Sequence, residues 1–195
     1  MGNNTKEIIK AIIPDIYVEK EIKPSEFILK YWSIYKDSFK DNNKGLNGNV
    51  FESLVAITLI RENIMPFYMQ ANVAFIPNVK YDFIIYNNPE IISLSVKTSL
   101  RERYKQADLE AVALRYIHRN SESYLITLDK IEAKRIKNNK SSCMGLNSLI
   151  LADEEEFNIL LQRIKKIKIE ISPQVSIVTS NFIIKTKDDF KKFLI

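Results

Sequence analysis

The chain has 195 residues, 46% of them hydrophobic and 27% charged, with 4 Gly and 6 Pro. That balance suits one globular domain and excludes a collagenous, linker-rich or largely disordered protein. One cysteine, Cys143, excludes a disulfide framework and a cysteine-based zinc finger and fits a reducing cytoplasm, while one histidine, His118, excludes a His-rich metal centre and weighs against a Ser–His–Asp hydrolase. The net charge of +5 and a pI near 9.1 favour a polyanionic partner without identifying it. No apolar run reaches the roughly 18 residues of a membrane span. The first residues lack the basic start and long apolar run of a signal peptide.

The first part reads as helical. Residues 24–39 start on Pro-Ser and place Phe27, Tyr31, Ile34 and Phe39 at near-helical spacing. Residues 41–49 are loop-like in composition, and Asn49 is a candidate cap for a helix over 50–63. Three β-rich runs follow, at 72–76, 81–86 and 91–97, separated by turn-like pieces, and predict an antiparallel meander. A helix over 101–119 and an apolar strand over 124–128 then predict a crossover, with the second strand parallel in the same sheet. Beyond lie a basic helix at 130–138, a strand at 149–152 and an amphipathic helix at 154–166. The end alternates at Ile167, Ile169 and Ile171 and reads as short strands with a last small helix. The expected architecture is α/β: a mixed central sheet flanked by helices.

Certain charges do not belong in such a core. On the strand 81–86, period two groups Tyr81, Phe83 and Ile85 on one face and Asp82, Ile84 and Tyr86 on the other. An aspartate is a poor strand former among such neighbours. On the next strand Ser93, Ser95 and Lys97 share a face, and a hairpin return brings Lys97 near Asp82. That alone is compatible with a simple salt bridge. On the following helix, Glu110 falls on the apolar face of Ala107, Ala111 and Leu114, whereas Lys105, Asp108 and Arg115 mark the polar face. An inward carboxylate requires a cationic partner: Lys97, or a divalent cation gathered with Asp82. Glu52 lies in the expected first turn of the helix from residue 50, where the helix dipole favours a glutamate.

This order — a helix with Glu52, a strand with Asp82, Ser95-Val96-Lys97 on the next strand, a helix, and the strand 124–128 — resembles the PD-(D/E)xK nuclease core. Tyr81 stands where that family often has Pro, and Ser95 where it has Asp or Glu; a neutral hydroxyl is a weak metal ligand. The EcoRII-like and NgoMIV-like branch of type II restriction endonucleases carries SxK on this strand and takes its carboxylate from the next helix, as Glu110 would supply here. Residues 97–106, Lys-Thr-Ser-Leu-Arg-Glu-Arg-Tyr-Lys-Gln, are similar to that branch's run after the catalytic lysine.

The resemblance implies a restriction-endonuclease-like fold over 1–195: an N-terminal helical part (1–49), a catalytic core (50–129) and C-terminal strands and helices (130–195). It further implies Mg²⁺-dependent hydrolysis of double-stranded DNA, with Asp82 and Glu110 as metal ligands and Lys97 serving the reaction. Glu52 would assist a second metal or hold Lys97. Arg101, Glu102 and Arg103 would read adjacent C:G pairs, since arginine matches guanine and a carboxylate matches the cytosine amino group; Ser99 and Lys105 would touch the DNA backbone. A palindromic target would require a homodimer, and a companion methyltransferase would act on the same site. Competing expectations are a structure-specific repair or junction nuclease of this superfamily, a non-catalytic DNA-binding protein, and a structural protein whose inward charges form only salt bridges. His118 is expected at the surface, compensating the helix dipole or touching DNA. Cys143 is expected to be an ordinary thiol, Trp32 a core or dimer contact, and the lysines around 134–140 and 165–168 solvated.

Overall fold

The computed structural model describes residues 3–17, 19, 21–39, 43–88, 90–139, 143–173 and 177–194. Three helices come first: α1 (Asn3–Ile12), α2 (Pro24–Ser38) and α3 (Lys44–Arg61). The meander β1 (Phe67–Val73), β2 (Tyr81–Asn87) and β3 (Glu90–Lys97) follows, then α4 (Arg103–Ile117) and β4 (Glu122–Thr127). The chain ends with α5 (Lys130–Asn138), β5 (Ser148–Leu151), α6 (Glu155–Ile164), β6 (Val178–Thr179), β7 (Phe182–Ile184) and α7 (Lys187–Leu194).

The sheet order is β5-β4-β3-β2-β1-β6, with β7 also on β1. The meander is antiparallel, as expected, and the crossover through α4 makes β4 parallel to β3, with Lys97 in register with Thr127. One face of the sheet packs under α1, α2, α3, α6 and α7 through residues such as Phe67, Phe83, Leu94 and Ile126. The opposite face packs under α4 and α5 through Tyr68, Ile84 and Leu114 and through Leu125, Ala133 and Ile136. Burial of each large side chain of this kind contributes roughly 1.5–3 kcal/mol.

Four local expectations are corrected. Helix α3 begins at Lys44, not residue 50, because the Asn43 side chain accepts from the Gly45 and Leu46 amides and caps it; Asn49 lies inside the helix. Glu52 is therefore remote from the first turn, in a stretch where Val50, Phe51 and every residue from Ser53 to Ile60 are buried. A helix apolar all round belongs in a core, so helix-dipole stabilisation does not account for this glutamate. The first strand runs over Phe67–Val73 rather than 72–76, because Phe75 (φ 66°) and Asn78 (φ 62°) turn the chain. The helix after β3 starts at Arg103, since Arg101 adopts φ 24° and breaks it. Ile167, Ile169 and Ile171 lie outside regular strands, although the Glu170 amide donates to the Tyr86 carbonyl at 2.9 Å.

Candidate active site

Period two fails at Asp82, and that failure creates the site. Tyr81 packs with Ile84 and Tyr86, not with Phe83 and Ile85, contrary to the expected alternation. Between them the Asp82 carboxylate takes over a backbone role: its Oδ2 accepts the Val96 amide at 2.7 Å and the Lys97 Nζ at 2.6 Å. Registered pairing of β2 and β3 ends at Phe83↔Leu94, next to the point where the carboxylate enters. Both side chains of the Asp82–Lys97 pair are 14% exposed, which shields the pair from solvent screening while leaving an opening.

Glu52 approaches from α3. Gln70 of β1 donates from Nε2 to Glu52 Oε1 at 2.8 Å. Burial first, and the negative charge of Asp82 second, push the Glu52 carboxyl from 4.5 up to about 7, against the opposing pull of Gln70 and Lys97. Glu110 approaches from α4. Burial raises its pKa, the Gln106 amide (2.8 Å) and Lys97 lower it, and Asp82 raises it. The Tyr81 hydroxyl donates to the Glu110 carbonyl at 3.0 Å and fastens α4 to the start of β2. Burial, reinforced by Glu110, also raises the Tyr81 pKa, so this phenol stays protonated as a donor.

Glu52, Asp82, Lys97 and Glu110 thus converge on one end of the sheet, three carboxylates around the Lys97 ammonium. Ser95 is buried on β3. Among the described residues no three His, Cys, Asp or Glu side chains form a ready cage for a metal ion. The donors present are carboxylate oxygens, the ligand type a hard divalent cation prefers, and Mg²⁺ is ordinarily held through one or two carboxylates with waters and substrate phosphates rather than by an all-protein cage.

Past Lys97, the chain is anchored by the buried Leu100, whose amide donates to Asp129 Oδ2 at 3.1 Å. Ser99, just before that anchor, and Arg101, Glu102, Arg103 and Lys105 after it are exposed. Arg101 and Glu102 project from the turn, and Arg103 alone of the triplet belongs to the helix.

Two readings of single residues change. Asp108 is not on a solvated polar face: it is 5% exposed, and its carboxylate accepts the Met144, Gly145 and Leu146 amides at 2.8–3.0 Å. His118 is not a surface charge; it ends α4 partly buried, and burial lowers its pKa more than a hydrogen bond to the Ala74 backbone raises it. The described lysines of the 134–140 and 165–168 stretches are exposed, as expected, and Lys137, Lys165 and Lys168 make surface ion pairs with Glu156, Glu62 and Glu170; Lys140 lies outside the described residues. Trp32 packs edge-on against Phe51 at the core margin, and burial, then Asp108, raise the Cys143 thiol.

Gln70, Tyr81 and Gln106 are site residues that sequence patterns did not single out. Gln106 had a signal, its i, i+4 spacing to Glu110. Gln70 and the Tyr81 hydroxyl had none, because their roles depend on local breaks in the strands.

No protein-family profile and no curated protein matches the sequence. Among solved structures, the chain is similar to the restriction endonuclease PspGI in complex with its substrate DNA, at 20% identity and a TM-score of 0.56, over 88% of this chain and 84% of that one. The fold is restriction-endonuclease-like: a mixed central sheet flanked by helices. No helix among the described residues is long and apolar enough to cross a membrane.

Proposed function

We propose that this protein is a type II restriction endonuclease of the EcoRII-like and NgoMIV-like branch, hydrolysing double-stranded DNA at a specific site containing adjacent C:G pairs. The observation that carries this reading is the Asp82–Lys97 pair at 2.6 Å, set where the registered pairing of β2 and β3 ends, with Glu110 and Glu52 close enough to act on it electrostatically. A simple salt bridge needs one carboxylate. Here two further carboxylates are held close to the pair, at a cost in burial that a purely structural role would not require.

Asp82 and Glu110 would hold Mg²⁺, which supplies charge neutralisation at the scissile phosphate when bound. Lys97 orients the attacking water and stabilises the negative charge that develops on the phosphoryl oxygens. The water oxygen bonds to phosphorus as the P–O3′ bond breaks, leaving a 5′-phosphate and a 3′-hydroxyl. Glu52 holds Lys97 and assists at the same centre. Arg101, Glu102 and Arg103 contact base edges while Ser99 and Lys105 contact the backbone, and a two-fold homodimer addresses the two strands of a palindrome. A methyltransferase of the same specificity would protect the host DNA.

The test is digestion of a fully sequenced plasmid with Mg²⁺, followed by sequencing of the ends, with Lys97→Ala in parallel. Discrete fragments sharing one terminal sequence support the reading, provided that Lys97→Ala fails to cut yet still binds the target in Ca²⁺. Sequence-indifferent cleavage would replace it with a structure-specific nuclease, and specific binding without cleavage with a non-catalytic DNA-binding protein.

A further inference from the structure

We infer that Gln70 is a positioning residue that aims the Glu52 carboxylate at the Asp82–Lys97 pair, an inference that rests on the proposed nuclease reading and extends its site to a third strand. Gln70 sits in the middle of β1 with φ 48°, a conformation that non-glycine residues rarely adopt, least of all inside a strand. The ladder is interrupted around it on both sides. Towards β2, the registered pairs Met69↔Phe83 and Ala71↔Tyr81 flank Gln70 and place it across from Asp82, with which it forms no registered pair. Towards the other edge, Met69↔Phe182 and Asn72↔Thr179 place Gln70 across from Asn181, at the break between β6 and β7.

Apolar packing changes sides at the same point. Phe67 and Met69 face the core under α3, whereas Ala71 and Val73 face the opposite core. Three strands therefore give up regular pairing along one line, Asp82–Gln70–Asn181. What occupies the line is polar: the Gln70 amide donates to Glu52 at 2.8 Å, and Asp82 holds Lys97 and the Val96 amide. Backbone strain of this kind persists where the surrounding structure holds it, and such positions cluster at functional sites. A glycine would relieve the strain and a strand former would restore the ladder; a glutamine at this position instead gives Glu52 a fixed donor.

The test uses Gln70→Gly, Glu52→Ala and the double variant. Glycine takes a positive φ freely, so Gln70→Gly keeps the backbone conformation and removes the side chain that carries the amide. The melting temperature, metal-free DNA affinity and KM are expected to stay at wild-type values, while kcat falls about 10–100-fold, the usual loss when a group orienting an active-site ligand is removed. Because Gln70 acts through Glu52, the double variant should be no slower than Glu52→Ala alone. Wild-type kcat in Gln70→Gly, losses that multiply in the double variant, or a fall in melting temperature accompanied by a raised KM would each overturn the assignment while leaving the nuclease reading intact. A wild-type protein that cuts no DNA would overturn both.

Discussion

Substituting Glu52 with Gln should make the protein more stable at high pH and leave it unchanged in acid. The replacement is isosteric and keeps an oxygen to accept from Gln70, so the main change is the loss of a buried charge. In the folded protein, burial and then Asp82 move this carboxyl from 4.5 up to about 7. A carboxyl harder to ionise in the folded state than in the unfolded chain costs nothing below pH 4.5. Its ionisation then erodes stability as the pH rises towards 7, and the penalty is complete above that value. At about 1.4 kcal/mol per pH unit, the displacement amounts to about 3 kcal/mol, or roughly 6–12 °C in melting temperature for a chain of this size. The assay is urea denaturation of wild type and Glu52→Gln without divalent cations at about pH 4.5, 7 and 8.5. The curves should converge in acid and separate progressively towards alkaline pH, with the variant the more stable. Parallel pH dependences would refute the claim that Glu52 is strained by burial and by Asp82.

Glu110→Ala should abolish Mg²⁺-dependent cleavage while Ser95→Ala loses little, because a carboxylate outranks a hydroxyl for a hard cation; equal loss in single-turnover assays would return the ligand role to the strand. Arg101→Ala and Arg103→Ala should each weaken cognate binding by about 1–3 kcal/mol and non-cognate binding far less. A uniform loss with a flatter salt dependence, measured by fluorescence anisotropy, would make them phosphate contacts instead. Gly145→Ala should destabilise the fold by about 2–3 kcal/mol in denaturant titrations, because an added Cβ would lie 2.4 Å from the Val112 nitrogen and 2.5 Å from the Asp108 carbonyl oxygen.

Much of the architecture was legible because it depends on periodicities that survive in one dimension. The meander, the crossover helix and the approach of Lys97 to Asp82 all follow from strand order and hairpin length. The inward direction of Glu110 followed from its spacing with Ala107, Ala111 and Leu114. What escaped were features set by breaks in those periodicities. The cap at Asn43 looked like one more polar residue of a loop, so Glu52 was placed in a first turn it does not occupy. The turn at Phe75 carries β-forming residues and passed for a strand. Asp108 reads as a solvent-facing charge on a helical wheel, because its three partners come from a segment more than thirty residues away.

The Asp108 clamp has a mechanical consequence. With α4 turning about 100° per residue, Arg103 and Glu110, seven positions apart, lie on nearly the same stripe of the helix, about 10 Å apart along its axis. Asp108 lies on the far side, gripped by the 144–146 amides, while Gly145 lets that segment press against the helix backbone. The helix is thereby a stiff rod that cannot roll without tearing three hydrogen bonds. If Arg103 meets a base edge, as proposed, a torque on it is delivered to Glu110 with little slack. On the proposed reading, with Glu110 as a metal ligand, a mismatched base pair would be felt at the scissile phosphate as a displaced carboxylate, before any difference in residence time on the DNA came into play.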